Sequence, residues 1–169
     1  MSKTFIKEFF KNKKMIGSMV PSSKFLCSKM LDNIPLNSAK LIIEIGPGTG
    51  VFTEKIIEKM SSDTKLIVVE LNLDLYQNLK ENINHPNVHI KHESAYKIME
   101  LSQALGYEKA DIIISSLPLA NFSPELRNSI LKTVEQTLSD NGSFVQFQYS
   151  LNAYKNLRLL FHNVKLDFT

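Results

Sequence analysis

The strongest constraint on the fold is the run Leu41-Ile42-Ile43-Glu44-Ile45-Gly46-Pro47-Gly48-Thr49-Gly50. Four apolar residues around one acid make a short, nearly continuous hydrophobic segment, the pattern of a strand buried on both faces of a parallel sheet. Three alternating glycines follow, and helical spacing restarts at Val51-Phe52-Thr53-Glu54-Lys55-Ile56-Ile57. Strand, glycine turn and helix in that order bring backbone N–H groups close to a ligand.

A dinucleotide-binding turn of the form Gly-x-Gly-x-x-Gly places its third glycine one residue later than Gly50 stands. That argues against a nicotinamide dehydrogenase. The acid two residues before the first glycine, with Gly46, Gly48 and Gly50 after it, resembles the S-adenosylmethionine (SAM) methyltransferases with a Rossmann-like sheet. SAM carries no pyrophosphate, but its amino-acid tail, ribose and sulfonium call for a close-fitting neutral turn.

The rest of the chain alternates strands and helices. Strands are expected at Lys65–Leu71, Val88–Lys91, Asp111–Ser115, Ser143–Tyr149 and Val164–Phe168, after a first strand ending at Ile45. Helices are expected over Lys24–Ile34, Asn72–Ile83, Leu151–Phe161 and from Ser123-Pro124-Glu125 to about Leu138, the serine capping and the proline opening the last of these. Asp140-Asn141-Gly142 reads as a turn. This predicts an α/β fold with a Rossmann-like doubly wound, mostly parallel sheet. Ligands in such a sheet bind outside the carboxyl ends of the strands. Gly46–Gly50, Glu70, Leu71, Glu93-Ser94-Ala95 and Ser115–Pro118 all fall on that one rim. Glu70, twenty residues past Gly50, is placed to accept hydrogen bonds from ribose hydroxyls.

The net charge of +3 is unevenly spread over the 169 residues. Residues 1–30 carry seven lysines against Glu8 alone, a surplus of six, so the remainder carries a deficit of three. From Thr4 to Lys14, Phe5, Ile6, Phe9 and Phe10 form an apolar stripe among lysines. Two readings stand: a flap packed on the domain, or an interfacial helix with its lysines over anionic headgroups, each worth about 1 kcal/mol. Residues 1–36 thus form a basic helical segment and 37–169 the ligand-binding portion of a single structural domain. No apolar run is long enough for a membrane span, and no secretory signal is visible. Cys27 stands alone, which excludes an intramolecular disulfide and a Cys-based metal site, and no metal is called for. The expected compartment is the cytoplasm.

With these residues placed, the chain resembles the bacterial phospholipid N-methyltransferases, which act on phosphatidylethanolamine, and their relatives the ribosomal RNA adenine dimethyltransferases. The likeness rests on Ile16–Ser23, Glu44–Thr53, Ser115–Leu119 and Phe144–Tyr149. It implies a SAM site built from Glu44, Gly46, Gly48, Gly50 and Glu70, with the loop Glu93-Ser94-Ala95 against adenine and S-adenosylhomocysteine (SAH) as product. Ser22 and Ser23 sit near the amino-acid end of SAM or simply cap a helix. It further implies a phospholipid acceptor, contact of residues 3–14 with an anionic membrane surface and a peripheral location on its inner face. Leu117-Pro118 forms a wall beside the methyl group, its carbonyls accepting from the incoming amine. Tyr149, His92 and the Ser115–Pro118 backbone are candidates for the base. Relatives have glycine-aspartate-alanine where Glu93-Ser94-Ala95 stands, and glycine at Ser116. A seventh, antiparallel strand expected of the fold has no segment before Thr169. An RNA adenine methyltransferase is the alternative, disfavoured by Leu119 where a base-stacking ring is wanted. A SAM-binding protein without turnover is the third reading.

Overall fold

The computed structural model describes residues 22–147 and 154–166. The chain opens with helix α1 (Ser22–Leu31), continues through β1 (Leu41–Ile45), α2 (Val51–Lys59), β2 (Lys65–Glu70), α3 (Leu73–Asn82) and β3 (Val88–His92), then α4 (Ile98–Ala104), β4 (Ala110–Ser115), α5 (Pro124–Thr137), β5 (Leu138–Gln146) and α6 (Tyr154–Leu160). The five strands form one sheet in the order β3-β2-β1-β4-β5, and every neighbouring pair is parallel.

All five residues of β1 are buried, as the unbroken apolar run predicts for a central strand covered on both sides. Alternation divides them between two cores. Leu41, Ile43 and Ile45 join Ile67, Val69 and Ile113 beneath Ile98 of α4, Leu126, Ile130, Leu131 and Val134 of α5, and Leu157 of α6. Ile42, Leu66, Val68, Ile112 and Ile114 face Cys27 and Leu31 of α1, Phe52 and Ile56 of α2, and Leu79 of α3. The result is three layers: α4, α5 and α6 on one side, α1, α2 and α3 on the other. Leu36 lies in the second core, so residues 27–36 pack as part of this domain.

Local chemistry sets the element ends. Asn72 caps α3 by accepting from the Leu75 N–H at 3.1 Å, and Ser123 caps α5 by accepting from the Leu126 N–H at 3.3 Å. The Asp111 carboxylate accepts the N–H groups of Lys40 and Leu41 at 2.7 and 3.0 Å, tying the entry of β1 to β4.

Four details depart from the sequence reading. Helix α4 was not anticipated. The turn at Asp140–Gly142 lies within β5 as an excursion between the pairs Ala110↔Leu138 and Ile112↔Ser143. Val164–Leu166 is irregular rather than a sixth strand: Val164 packs on the first core while Leu166 is exposed, and Asp167 and Phe168 lie outside the described residues. Helix α6 ends at Leu160, one residue before the expected Phe161, and residues 151–153 lie outside the described residues. The expected N-terminal helix of residues 4–14 and the Met15–Pro21 turn also lie outside the described residues. Among those described, no helix is long and apolar enough to cross a membrane.

Candidate active site

The strand order reverses between β1 and β4, so the turns leaving these two strands diverge and open a crevice at the carboxyl edge of the sheet. A cleft lies there, outside the strand ends where ligands bind in such sheets. Of the residues singled out in the sequence, Gly46, Glu70, Leu71, Glu93, Ser94, Ala95 and Leu117 line this one cleft.

Gly46 leaves β1 at φ +68°, and a Cβ there would come within 2.7 Å of the Leu117 side chain. The residue must be glycine both for its backbone angle and for the close approach of the two turns. Gly50 starts α2 at φ +89°, with Leu79 of α3 pressed where its Cβ would be. The third glycine therefore serves packing between the helices, while the first shapes the cleft.

Glu70 ends β2 and is 1 % exposed. Its Oε1 accepts the Asn72 N–H at 2.8 Å and its Oε2 the Gly48 N–H at 3.4 Å. Desolvation raises its pKa, opposed by these backbone donors, by the Leu71 N–H and by nearby His92. Three backbone donors on about four lone-pair sites leave the carboxylate room for a further donor, such as a ribose hydroxyl. His92 meets the Leu71 carbonyl through Nε2 at 3.0 Å and stacks on Tyr76, which fixes the floor beside Glu70.

Glu44 is wholly buried behind the turn, on the face of β1 opposite the cleft core. Thr53 of α2 donates to its Oε2 at 2.6 Å, while Oε1 has no partner among the described residues. Desolvation pushes its pKa up to about 8; the Thr53 hydroxyl opposes this and the charge of Glu70 adds to it. Burial also pushes the Cys27 thiol up to about 11, so it is not a nucleophile near neutral pH.

At the end of β4, Ser115 Oγ accepts the Leu117 N–H at 3.3 Å, and the Ser115 carbonyl accepts the Phe147 N–H at 2.8 Å. Pro118 sits at φ −76°, ψ 69°, the centre of an inverse γ-turn closed by Leu119 N–H to Leu117 O at 2.8 Å. Ser94 accepts the Tyr96 N–H at 3.4 Å and so shapes the loop after β3. The side chains of Ser22 and Ser23, and the whole of Tyr149, lie outside the described residues.

Sequence reasoning missed part of the lining: Ile45, Val69, Tyr96, Phe122, Leu126 and Ile130. Leu126 and Ile130 come from one face of α5, and their i, i+4 spacing was a visible signal, though one shared with any core-facing helix. Among the described residues no lysine or arginine lines the cleft, whereas two carboxylates, Glu70 and Glu93, do. That favours a neutral or cationic ligand over a pyrophosphate. The remaining acceptor capacity of Glu70 and the apolar walls fit a nucleoside. Among the described residues no cluster of side chains could hold a metal ion.

Comparison with known proteins agrees with this geometry. The family described as "Ribosomal RNA adenine dimethylase" matches residues 9–151. The chain is similar to an ornithine lipid N-methyltransferase of Singulisphaera acidiphila, 33 % identical over 84 % of this chain and 74 % of that one. It is also similar to the ribosomal RNA small subunit methyltransferase A of Ureaplasma parvum serovar 3, 29 % identical over 88 % of this chain and 54 % of the relative. The chain thus spans about half the length of that ribosomal RNA enzyme. Among solved structures, a protein-L-isoaspartate O-methyltransferase superposes with a TM-score of 0.58 at 18 % identity, covering 75 % of this chain and 36 % of that one. Streptomyces venezuelae DesVI gives 0.56 at 16 % identity over 75 % and 50 %. These structural likenesses speak to the fold, a Rossmann-like methyltransferase sheet.

Proposed function

The chain belongs to the ribosomal RNA adenine dimethylase family, and from that premise we propose that it methylates the amine of a lipid headgroup, such as phosphatidylethanolamine or an ornithine lipid, rather than an adenine. SAM is the cofactor, and it supplies an electrophilic methyl group on a sulfonium.

In this reading Glu70 holds the ribose hydroxyls and the Gly46–Gly50 turn, with Glu44 behind it, receives the amino-acid end together with Ser22 and Ser23. Glu93, Ser94 and Ala95 border the adenine, and Leu71 lies against the ribose. Ser115, Leu117 and Pro118 wall the methyl side, and Tyr149 is retained as a candidate base. Holding amine and methyl donor aligned and dry is worth roughly 7–11 kcal/mol of barrier. The headgroup ammonium must also give up a proton to the base or to water before its nitrogen can attack the methyl group.

The observation that carries the lipid reading is Leu119, which is fully buried in the core between sheet and α5. The position following Leu117-Pro118 therefore offers no ring to an extruded base, whose recognition relies on stacking. The ornithine lipid relative is consistent with it, sharing more identity and covering more of its own length than the ribosomal RNA relative. Residues 3–14 of the basic segment 1–36 would then face the membrane, with Lys3, Lys7, Lys11, Lys13 and Lys14 against anionic headgroups on the cytoplasmic side, and residues 37–169 would be the cofactor-binding portion. Adenine methylation is the second reading, favoured by the family's own description and the Ureaplasma relative.

Purified protein given methyl-labelled SAM with vesicles of either aminolipid, and separately with small-subunit ribosomal RNA, decides between them. Label in the lipid fraction is expected. Label in RNA alone overturns the lipid acceptor and selects adenine. Label in neither, with SAH still bound, identifies a binding protein without turnover.

A further inference from the structure

We propose that Gln146 is a positioning residue for methyl transfer, acting through the backbone of Leu117; the proposal rests on the methyltransferase reading above. Gln146 is the last residue of β5, the edge strand among the described residues, and pairs with Ser115 of β4. Its Nε2 donates to the Leu117 carbonyl at 2.9 Å and to the Phe147 carbonyl at 2.6 Å. Two carbonyls converging on one atom fix the orientation of the amide, because an oxygen in that place would face two acceptors.

The Leu117 carbonyl also receives the Leu119 N–H across the γ-turn at Pro118. A carbonyl oxygen has two lone pairs, and both are now occupied. Leu117 is thus held at three points: its N–H by Ser115 Oγ, its oxygen by Gln146 and Leu119, and its side chain against Gly46. A residue fixed in this way can wall the reacting groups to a few tenths of an ångström, which near-attack alignment requires. Its carbonyl is a strut and not the receptor of the incoming amine N–H.

Among the described residues the Oε1 of Gln146 is buried with no partner. A purely structural tie would more cheaply use a side chain that leaves no acceptor stranded. Retention of an amide here fits a site where the geometry of Leu117 matters more than the stability of β5.

Gln146→Leu keeps the size and removes both donated bonds. Amide exchange at Leu117 and Leu119 is expected to accelerate at least tenfold while Leu41–Ile45 is unchanged. On the aminolipid vesicles, kcat is expected to fall at least tenfold with the KM for SAM within twofold of wild type. Gln146→Glu should recover activity towards acid pH, where the carboxyl regains a proton to donate to Leu117. Unchanged exchange at Leu117 and Leu119 overturns the proposal. So does a loss in which SAH affinity and melting temperature fall in parallel with kcat, or a Gln146→Glu variant with the wild-type pH profile. The exchange measurement needs no turnover, so an inactive wild type refutes the functional reading while exchange still decides the role of Gln146.

Discussion

Glu44 is the residue at which burial works most strongly against ionisation. An acid in the middle of an apolar strand, with one oxygen hydrogen-bonded to Thr53 and the other unpaired, holds its proton up to about pH 8. The unfolded chain releases that proton near pH 4.5. The folded state therefore binds more protons between these values, and stability declines as pH rises from about 4.5 to about 8. Glu44→Gln mimics the protonated form. It is expected to flatten this slope and to melt about 3 °C or more above wild type at pH 8.5 without ligand, as read by thermal denaturation across pH. A parallel pH dependence in variant and wild type would assign the slope to other groups. The sequence revealed that Glu44 is unusual, because a charge is rare within such a run. It did not reveal that Thr53, nine residues on, is its partner, since that contact exists only once α2 folds back on β1.

At the scale of elements, what could be read was what carries a local signature. Strands β1, β2 and β4 are apolar runs, and α3 and α5 announce themselves by Asn72 and by Ser123-Pro124. Ser123→Ala is expected to cost about 1 kcal/mol in denaturant unfolding at unchanged m-value, because the Leu126 N–H would lose its acceptor. Helix α4 escaped notice because it is seven residues long and Lys97 offers no side-chain cap; its one signal was Gly106, whose positive φ ends it. The start of β5 was hidden by Asp140-Asn141-Gly142, which is a turn by composition but lies inside a strand held at both ends by β4. The alternation of Val164-Lys165-Leu166 suggested a strand, yet periodicity cannot say whether a neighbouring strand is available to pair. The rim residues Glu70, Glu93–Ala95 and Leu117 were legible because strand ends in a parallel sheet share an edge. Tyr96, Phe122 and the inner face of α5 were not, because long-range packing alone brings them over the cleft.

For the whole molecule, the sheet order puts the two turns at Gly46 and Leu117 back to back, and the Leu117 side chain packed over the bare Cα of Gly46 makes the cleft and the core one structure. The same order leaves β5 at an edge among the described residues, joined to the site by Gln146. Family membership and fold identify the cofactor, while the acceptor is decided by what the loop after β4 can touch. Everything proposed for the acceptor presupposes that the cleft grips a sulfonium nucleoside through Glu70. Calorimetric titration of SAH into wild type and Glu70→Gln tests this most directly. The account predicts saturable one-site binding to wild type and an affinity at least tenfold lower in the variant, whose fold is verified by an unchanged circular dichroism spectrum. Equal affinity in the two proteins, or no binding of SAH to wild type, would contradict it.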